Sequence, residues 1–252
     1  MPAFEVASVK PSPPPGPSAG FATRADGGPG TPDPTRIDYR NLPLSSLIGQ
    51  AYGLDHWQLS APEWMAVEKY DIAAKVPPGA TEEQFRLMLQ RLLAERFKLR
   101  VHRGKQEMPM YSLTAARSGP RLKSHAGAPP VVDTDGPKRP SRDSNGYPIL
   151  PLPNGMMTMG GKSRLQTDDA PLAQLARYLS SYLGAPVRDD TGLEGKYDIG
   201  LFWVSRDSGW ETDSGPDLFA ALQEQLGLKL EKKKGPVEIL AIDHAEKVPT
   251  GN

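Results

Sequence analysis

The chain has 252 residues, with 30 Lys and Arg against 30 Asp and Glu, so its formal net charge is zero. That balance excludes a uniformly basic nucleic-acid binder, and no nucleic-acid partner is expected. The absence of cysteine excludes disulfides, zinc–thiolate sites, iron–sulfur clusters and Cys nucleophiles, and no run of 18 apolar residues offers a membrane span.

Residues 1–36 contain nine prolines and five glycines. Within them only Phe4-Glu5-Val6-Ala7-Ser8-Val9 alternates like a strand, and the rest is expected to be irregular. Residues 126–163 form a second Pro/Gly-rich stretch, read as a linker or long loop. Two ordered blocks remain, 37–125 and 164–252. In the first, Pro43 opens a helix whose apolar face is Leu44, Leu47, Ile48 and Ala51; in the second, Pro171 opens one with Leu172, Leu175, Leu179 and Tyr182. Lys69-Tyr70-Asp71-Ile72 and Lys196-Tyr197-Asp198-Ile199 then read as matching strands.

A second helix follows in each block. Thr81 and Gln84 predict a capping box ahead of Phe85, Met88, Leu89 and Leu92. In the second block Ser214 or its neighbour is expected to cap a helix opened by Pro216, carrying Phe219, Leu222 and Leu226 and ending at Gly227. The alternating segments Phe97–His102 and Leu228–Glu231 predict strands. Turns at Gly104 and Gly235 then lead to last strands over 110–113 and 237–242. The expected fold is α+β: two tandem strand-helix-strand-helix-strand-strand repeats, each a small, mainly antiparallel sheet with two helices on one face.

Several segments are similar to an uncharacterised bacterial family, the so-called soil-associated proteins, which carry a domain of unknown function. They are Phe4–Pro11, Tyr70–Lys75, Met88–Leu99, Asp190–Asp198 and Leu222–Leu230. The resemblance covers almost the whole chain outside the Pro/Gly loops. It implies an exported or lipid-anchored envelope protein, usually made with a signal peptide. In some relatives the domain is joined to a membrane metallopeptidase resembling antibiotic sensors. It implies no established activity and supplies no catalytic residues. Met1-Pro2-Ala3-Phe4 shows neither the charged nor the apolar region of a signal peptide. The expectation is therefore a secreted or periplasmic chain lacking that peptide, with a cytoplasmic member as the alternative.

Motifs for chemistry are sparse. Gly16-Pro17-Ser18-Ala19-Gly20 spells a nucleophile elbow but sits in a proline-rich tail. Gly155 to Ser163 nearly spells a phosphate loop, with one residue too many, and is read as a loop. His56, His102, His125 and His244 are too scattered for a helical metal motif, and neither a metal nor a cofactor is expected. Asp189, Asp190 and Glu194 form an acidic loop without calcium-loop spacing.

Trp57 and Trp64, beside Asp55, His56 and Glu63, combine indoles with polar groups as a sugar or aromatic ligand site does, or else cover a sheet edge. The recurring Asp71 and Asp198 are expected to accept backbone N–H bonds from an adjacent turn, with their tyrosines packed on helices. Residues 86–142 hold 13 basic against 4 acidic residues, and 188–224 hold 9 acidic against 3 basic. Arg91, Lys98, Arg100, Arg103 and Lys105 are accordingly candidates for meeting an anionic polymer or an envelope protein. Two functional readings follow. One is a non-enzymatic envelope binding or docking module. The other is a hydrolase acting on an extracellular substrate, with His56, Asp71, His102 and Asp198 supplying acid–base groups in a cleft between the repeats.

Overall fold

The computed structural model describes residues 2–13, 23–124, 141–150, 154–205 and 215–251. The chain forms two compact units, Met1–Glu107 with Pro236–Asn252, and Met108–Gly235. In chain order the elements are β1 (Val6–Pro11), β2 (Arg24–Gly27), β3 (Arg36–Pro43), α1 (Leu44–Tyr52), β4 (Leu59–Ser60), α2 (Trp64–Val67) and β5 (Lys69–Lys75). There follow α3 (Glu82–Phe97), β6 (Arg100–Ala115), β7 (Lys123–Ser124), β8 (Ser141–Arg142), β9 (Pro148–Ile149), β10 (Gly155–Met159) and β11 (Lys162–Ala170). The chain ends with α4 (Leu172–Leu183), β12 (Val187–Asp189), β13 (Tyr197–Val204), α5 (Leu218–Ala221), a π-helical turn (Leu222–Leu226) and β14 (Leu228–His244). The fold is α+β, with several small, mostly antiparallel sheets and few helices.

The first unit is built on the antiparallel sheet β1-β5-β3-β2. Strand β3 places Ile37, Tyr39 and Leu42 inward at every second position until a bulge between Tyr39 and Leu42 shifts the register against β5. Pro43 then stands at the N-cap of α1, whose Leu44, Leu47, Ile48 and Ala51 are all buried as the 3.6-residue period requires. Helix α3 opens with the reciprocal capping box: Gln84 N–H donates to Thr81 Oγ1 at 3.2 Å, and Thr81 N–H donates to Gln84 Oε1 at 3.0 Å. Its buried Phe85, Met88, Leu89 and Leu92 pack with α1 into one core, which the chain's last strand joins through Leu240. Strand β4 pairs in parallel with Leu240 and Ala241 of β14.

The second unit is built on the antiparallel sheet β10-β11-β13-β7. Pro171 is the N-cap of α4, which buries Leu172, Leu175, Ala176 and Leu179 and leaves Tyr182 half-buried. A bulge between Thr167 and Ala170 interrupts β11 against β13. Trp203 is fully buried in this core, with the Tyr182 ring edge-on at 5.0 Å. Strand β12 pairs in parallel with Tyr111–Leu113 of β6.

Four sequence expectations are corrected. First, Phe97-Lys98-Leu99 does not begin a strand. Helix α3 runs to Phe97, which is fully buried edge-on to Tyr70 at 4.8 Å, and Lys98 forms a left-handed C-cap at φ 52°. Second, Gly104 and Gly235 are not turns, since β6 and β14 each continue straight through them. At Gly235 the missing side chain makes room for the Met110 sulfur, which would lie 2.9 Å from a Cβ there. Third, the near-phosphate loop is the β10–β11 hairpin. Gly160 and Gly161 supply the two positive φ angles, 54° and 80°, of a two-residue turn. Fourth, the helix before β14 is capped by the Asp217 carboxylate, which accepts from Ala220 N–H at 2.9 Å, and Pro216 lies ahead of it. That helix turns π at Leu222, and Phe219 is exposed. Strands β2, β8 and β9 also arise where only irregular chain was expected. The G-x-S-x-G stretch, His125 and Ser214 lie outside the described residues.

Leu240 enters the first core from the far end of the sequence. Leu240→Ala is expected to destabilise the protein by about 2–5 kcal/mol, read as a lowered urea midpoint with an unchanged m-value.

Candidate functional site

Helix α1 ends at Gly53 in the left-handed conformation, and Leu54 N–H turns back to the Gly49 carbonyl at 2.8 Å. Asp55 then caps a single 3-10 turn, His56–Gln58. The Gln58 N–H donates to the Asp55 carbonyl at 2.9 Å, and Gln58 Oε1 accepts the Asp55 N–H at 3.1 Å. The chain next pairs as β4, turns at Pro62 and enters α2. Between α1 and this returning segment lies a groove of about 450 Å³, lined by residues including Ser45, Gln50, Asp55, His56, Glu63 and Ala66. Gln50 is fixed by its amide, which donates to Tyr39 Oη at 2.8 Å, and burial raises the Tyr39 phenol above its ordinary value.

Of the residues proposed for a ligand site here, His56 lines the groove, while Trp57 and Trp64 are not among its lining. His56 and Trp57 meet edge-on at 4.9 Å. Trp64 packs half-buried against the first core, with Lys247 Nζ 5.4 Å from the centre of its ring. Ser45, Ser46 and Gln50 also line the groove; in the sequence they were only polar positions beside an apolar helix face, with no motif to mark them.

Asp71 is 8% exposed and holds the β3 bulge together. Its carboxylate accepts from Ser12 Oγ at 2.6 Å, from the Asn41 N–H at 3.0 Å and from Arg40 Nη1 at 3.4 Å. Burial pushes its carboxyl up, but the bonds from Ser12, Asn41 and Arg40 outweigh burial and hold it below the usual carboxylate range. Asn41 is the left-handed residue of the bulge, at φ 55°. The second unit repeats this contact: Asp169 is left-handed at φ 52°, and its N–H donates to Asp198 Oδ1 at 3.1 Å. Tyr70 and Tyr197 donate to backbone carbonyls, of Lys247 at 2.7 Å and of Glu194 at 2.8 Å.

Within the first unit, His102 Nδ1 lies 2.7 Å from Asp243 Oδ1 on an exposed strand face. Among the described residues no hydrogen bond or ion pair joins any two of His56, Asp71 and His102. Arg91 pairs with Glu95 at 2.7 Å and lines a second hollow of about 410 Å³ between the start of β1 and α3. Lys98 Nζ donates to the Glu95 carbonyl at 3.2 Å. Strand alternation puts Arg100 on one face of β6 and Arg103 with Lys105 on the other, so the five basic candidates do not share one face. Arg100, Arg103 and Lys105 are exposed and make no ion pair among the described residues.

One polar cluster in the second unit carried no sequence motif. Fully buried Ser112 donates to the Asp190 carboxylate and accepts from Lys233 Nζ at 3.0 Å. Hydrogen bonds from Arg188 and then from Ser112 lower the Asp190 carboxyl. Asp189, beside it, accepts from the Thr191 N–H at 3.0 Å and hydroxyl at 2.7 Å. Among the described residues no three His, Asp or Glu side chains converge as a metal site, and no helix is long and apolar enough to cross a membrane.

A family model described as "Protein of unknown function (DUF3738)" matches residues 45–245, and the chain belongs to that family. No curated protein and no solved structure matches it.

The Asp71 network predicts a pH-dependent stability. Asp71→Asn is expected to destabilise the protein at pH 7 by about 1–3 kcal/mol, because a neutral amide cannot accept all three bonds. A carboxyl depressed by folding stabilises above its unfolded value of about 3.9 and loses that contribution as pH falls through its lower folded value. The gap between wild type and variant, measured by urea denaturation, should therefore shrink as pH drops from about 5 toward about 2.

Proposed function

We propose that the chain is an extracytoplasmic envelope module that docks on an anionic polymer or an acidic protein surface without transforming it, and that it arose by doubling of one strand–helix–strand–helix–strand unit. The observation that carries this reading is the shared task of Asp71 and Asp198. Each holds the N–H of a left-handed bulge residue, Asn41 or Asp169, just before the proline that caps a helix. A carboxylate engaged in this way in both units is scaffolding, and two of the four acid–base candidates are thereby accounted for. The parallel pairings support the doubling: Leu59 of β4 meets Leu240 of β14, and Val187 of β12 meets Tyr111 of β6. In each case the short strand after the first helix lies beside the last strand of the other sequence block. The docking surface is assigned to Arg103 and Lys105, which share one face of β6 and whose charges are exposed and unpaired among the described residues. The similarity to soil-associated envelope proteins, some joined to a membrane metallopeptidase, supplies the cellular context.

Labelled dextran sulfate is a suitable probe. The full chain is expected to bind it at about 0.05 M salt and to lose at least about tenfold in affinity at about 0.5 M. Arg103→Glu/Lys105→Glu should weaken binding about tenfold at low salt while melting like wild type. Failure of dextran sulfate to bind, or wild-type affinity in the double variant, overturns the docking assignment. Turnover in a broad hydrolase screen that His56→Ala abolishes would instead establish the hydrolase reading.

A further inference from the structure

Helices α1 and α4 are alike in what they bury and unlike on their outer faces. Both follow a proline N-cap, end at a left-handed glycine and bury four apolar residues at matching positions. Counting from those prolines, α1 has Gly49 and Gln50 where α4 has Arg177 and Tyr178. The segments that follow differ as well. Between α1 and β5 the chain adds a 3-10 turn and the short helix α2, whereas between α4 and β13 the only regular element is β12. The groove of the first unit lies where these two departures meet: Gly49 and Gln50 form part of one wall, and Leu59, Glu63 and Ala66 part of the other.

Its chemistry is one-sided. The apolar lining comes from Leu54, Leu59, Ala61, Pro62 and Ala66, and the only full charges are the carboxylates of Asp55 and Glu63. No Lys or Arg lines it. Among the described residues neither carboxylate has a cationic partner. An anion placed here would meet two uncompensated negative charges, whereas a cation would find both unclaimed. The volume of about 450 Å³ falls within the range of small-molecule sites, in which apolar walls and a few polar groups fix one ligand.

We infer that this groove binds a small organic cation, a protonated amine on an apolar body, with its ammonium toward Asp55 and Glu63 and its body against Leu54, Leu59 and Ala66. The site is separate from the anionic docking assigned to β6 and does not depend on it. Burial of the apolar body supplies affinity, and the carboxylates supply selection by charge.

Phenethylamine and its charge-reversed counterpart 3-phenylpropionate test this on the full chain. Amide NMR titration is expected to show phenethylamine shifting Gly49, Leu59 and Ala66, with 3-phenylpropionate leaving them in place. Asp55→Asn/Glu63→Gln, which removes both charges at nearly constant size, should weaken phenethylamine at least about fivefold. Ala66→Phe, at an exposed position of α2, should abolish the shifts by filling the groove while the melting temperature holds. Three results would each overturn the inference: equal binding of both probes, shifts centred away from the groove, or undiminished phenethylamine affinity in the double variant.

Discussion

A non-glycine residue in the left-handed region costs on the order of 1 kcal/mol and persists only where its surroundings hold it. The first unit places such a residue, Asn41, inside a strand, two positions before the proline that caps α1. Asp71 on the neighbouring strand holds it there by accepting its N–H, and Ser12 and Arg40 complete the carboxylate's partners. The bulge reverses which way the strand's side chains point, so that Leu42 continues the inward row that Tyr39 began. Helix α1 can then lay Leu44, Leu47, Ile48 and Ala51 on the sheet. The placement of α1 fixes Gly49 and Gln50, and through them one wall of the groove.

Asp169 and Asp198 form the equivalent contact in the second unit, ahead of Pro171 and α4. Here the same backbone device supports a different surface, since Arg177 and Tyr178 stand where the first unit has a glycine and a glutamine. Buried positions are constrained by the packing of helix on sheet, and α1 and α4 bury residues at the same spacing from their prolines. Outer positions and connecting segments carry no such constraint and differ between the two units. The groove is lined by residues of the first unit, Ser45 to Ala66.

The long strands β6 and β14 contribute residues to both units, with Val101 and Leu240 in the first core and Leu113 and Leu230 in the second. No turn interrupts either strand: Gly104 and Gly235 both sit in extended backbone, and at Gly235 the missing side chain admits the Met110 sulfur. In the sequence a glycine beside a basic run reads as a turn. A glycine that makes room for Met110 reads the same way, and only the packed partner distinguishes the two.

Local rules determined a good part of this protein. The apolar faces of α1, α3 and α4 and the Thr81–Gln84 box follow from spacing and side-chain chemistry within a few residues, whereas Asp71 and Asp198 read as backbone acceptors from their recurrence in both blocks, and their donors, Asn41 and Asp169, lie on the neighbouring strand and not in an adjacent turn. His56 was legible as a site candidate because carboxylates and indoles crowd around it. Contacts between distant segments decided the rest. Phe97 stayed helical because Tyr70 and a sealed core received it, although its neighbours alternate like a strand. Ser112, Asp190 and Lys233 became one cluster only when β6, β12 and β14 came together. Trp57 and Trp64, adjacent to the groove in sequence, are absent from its lining, because a 3-10 turn and a short helix set the direction of each side chain. Spacing fixes which face of an element is apolar; which surfaces meet, and what hollow they leave, depends on packing that no local window contains.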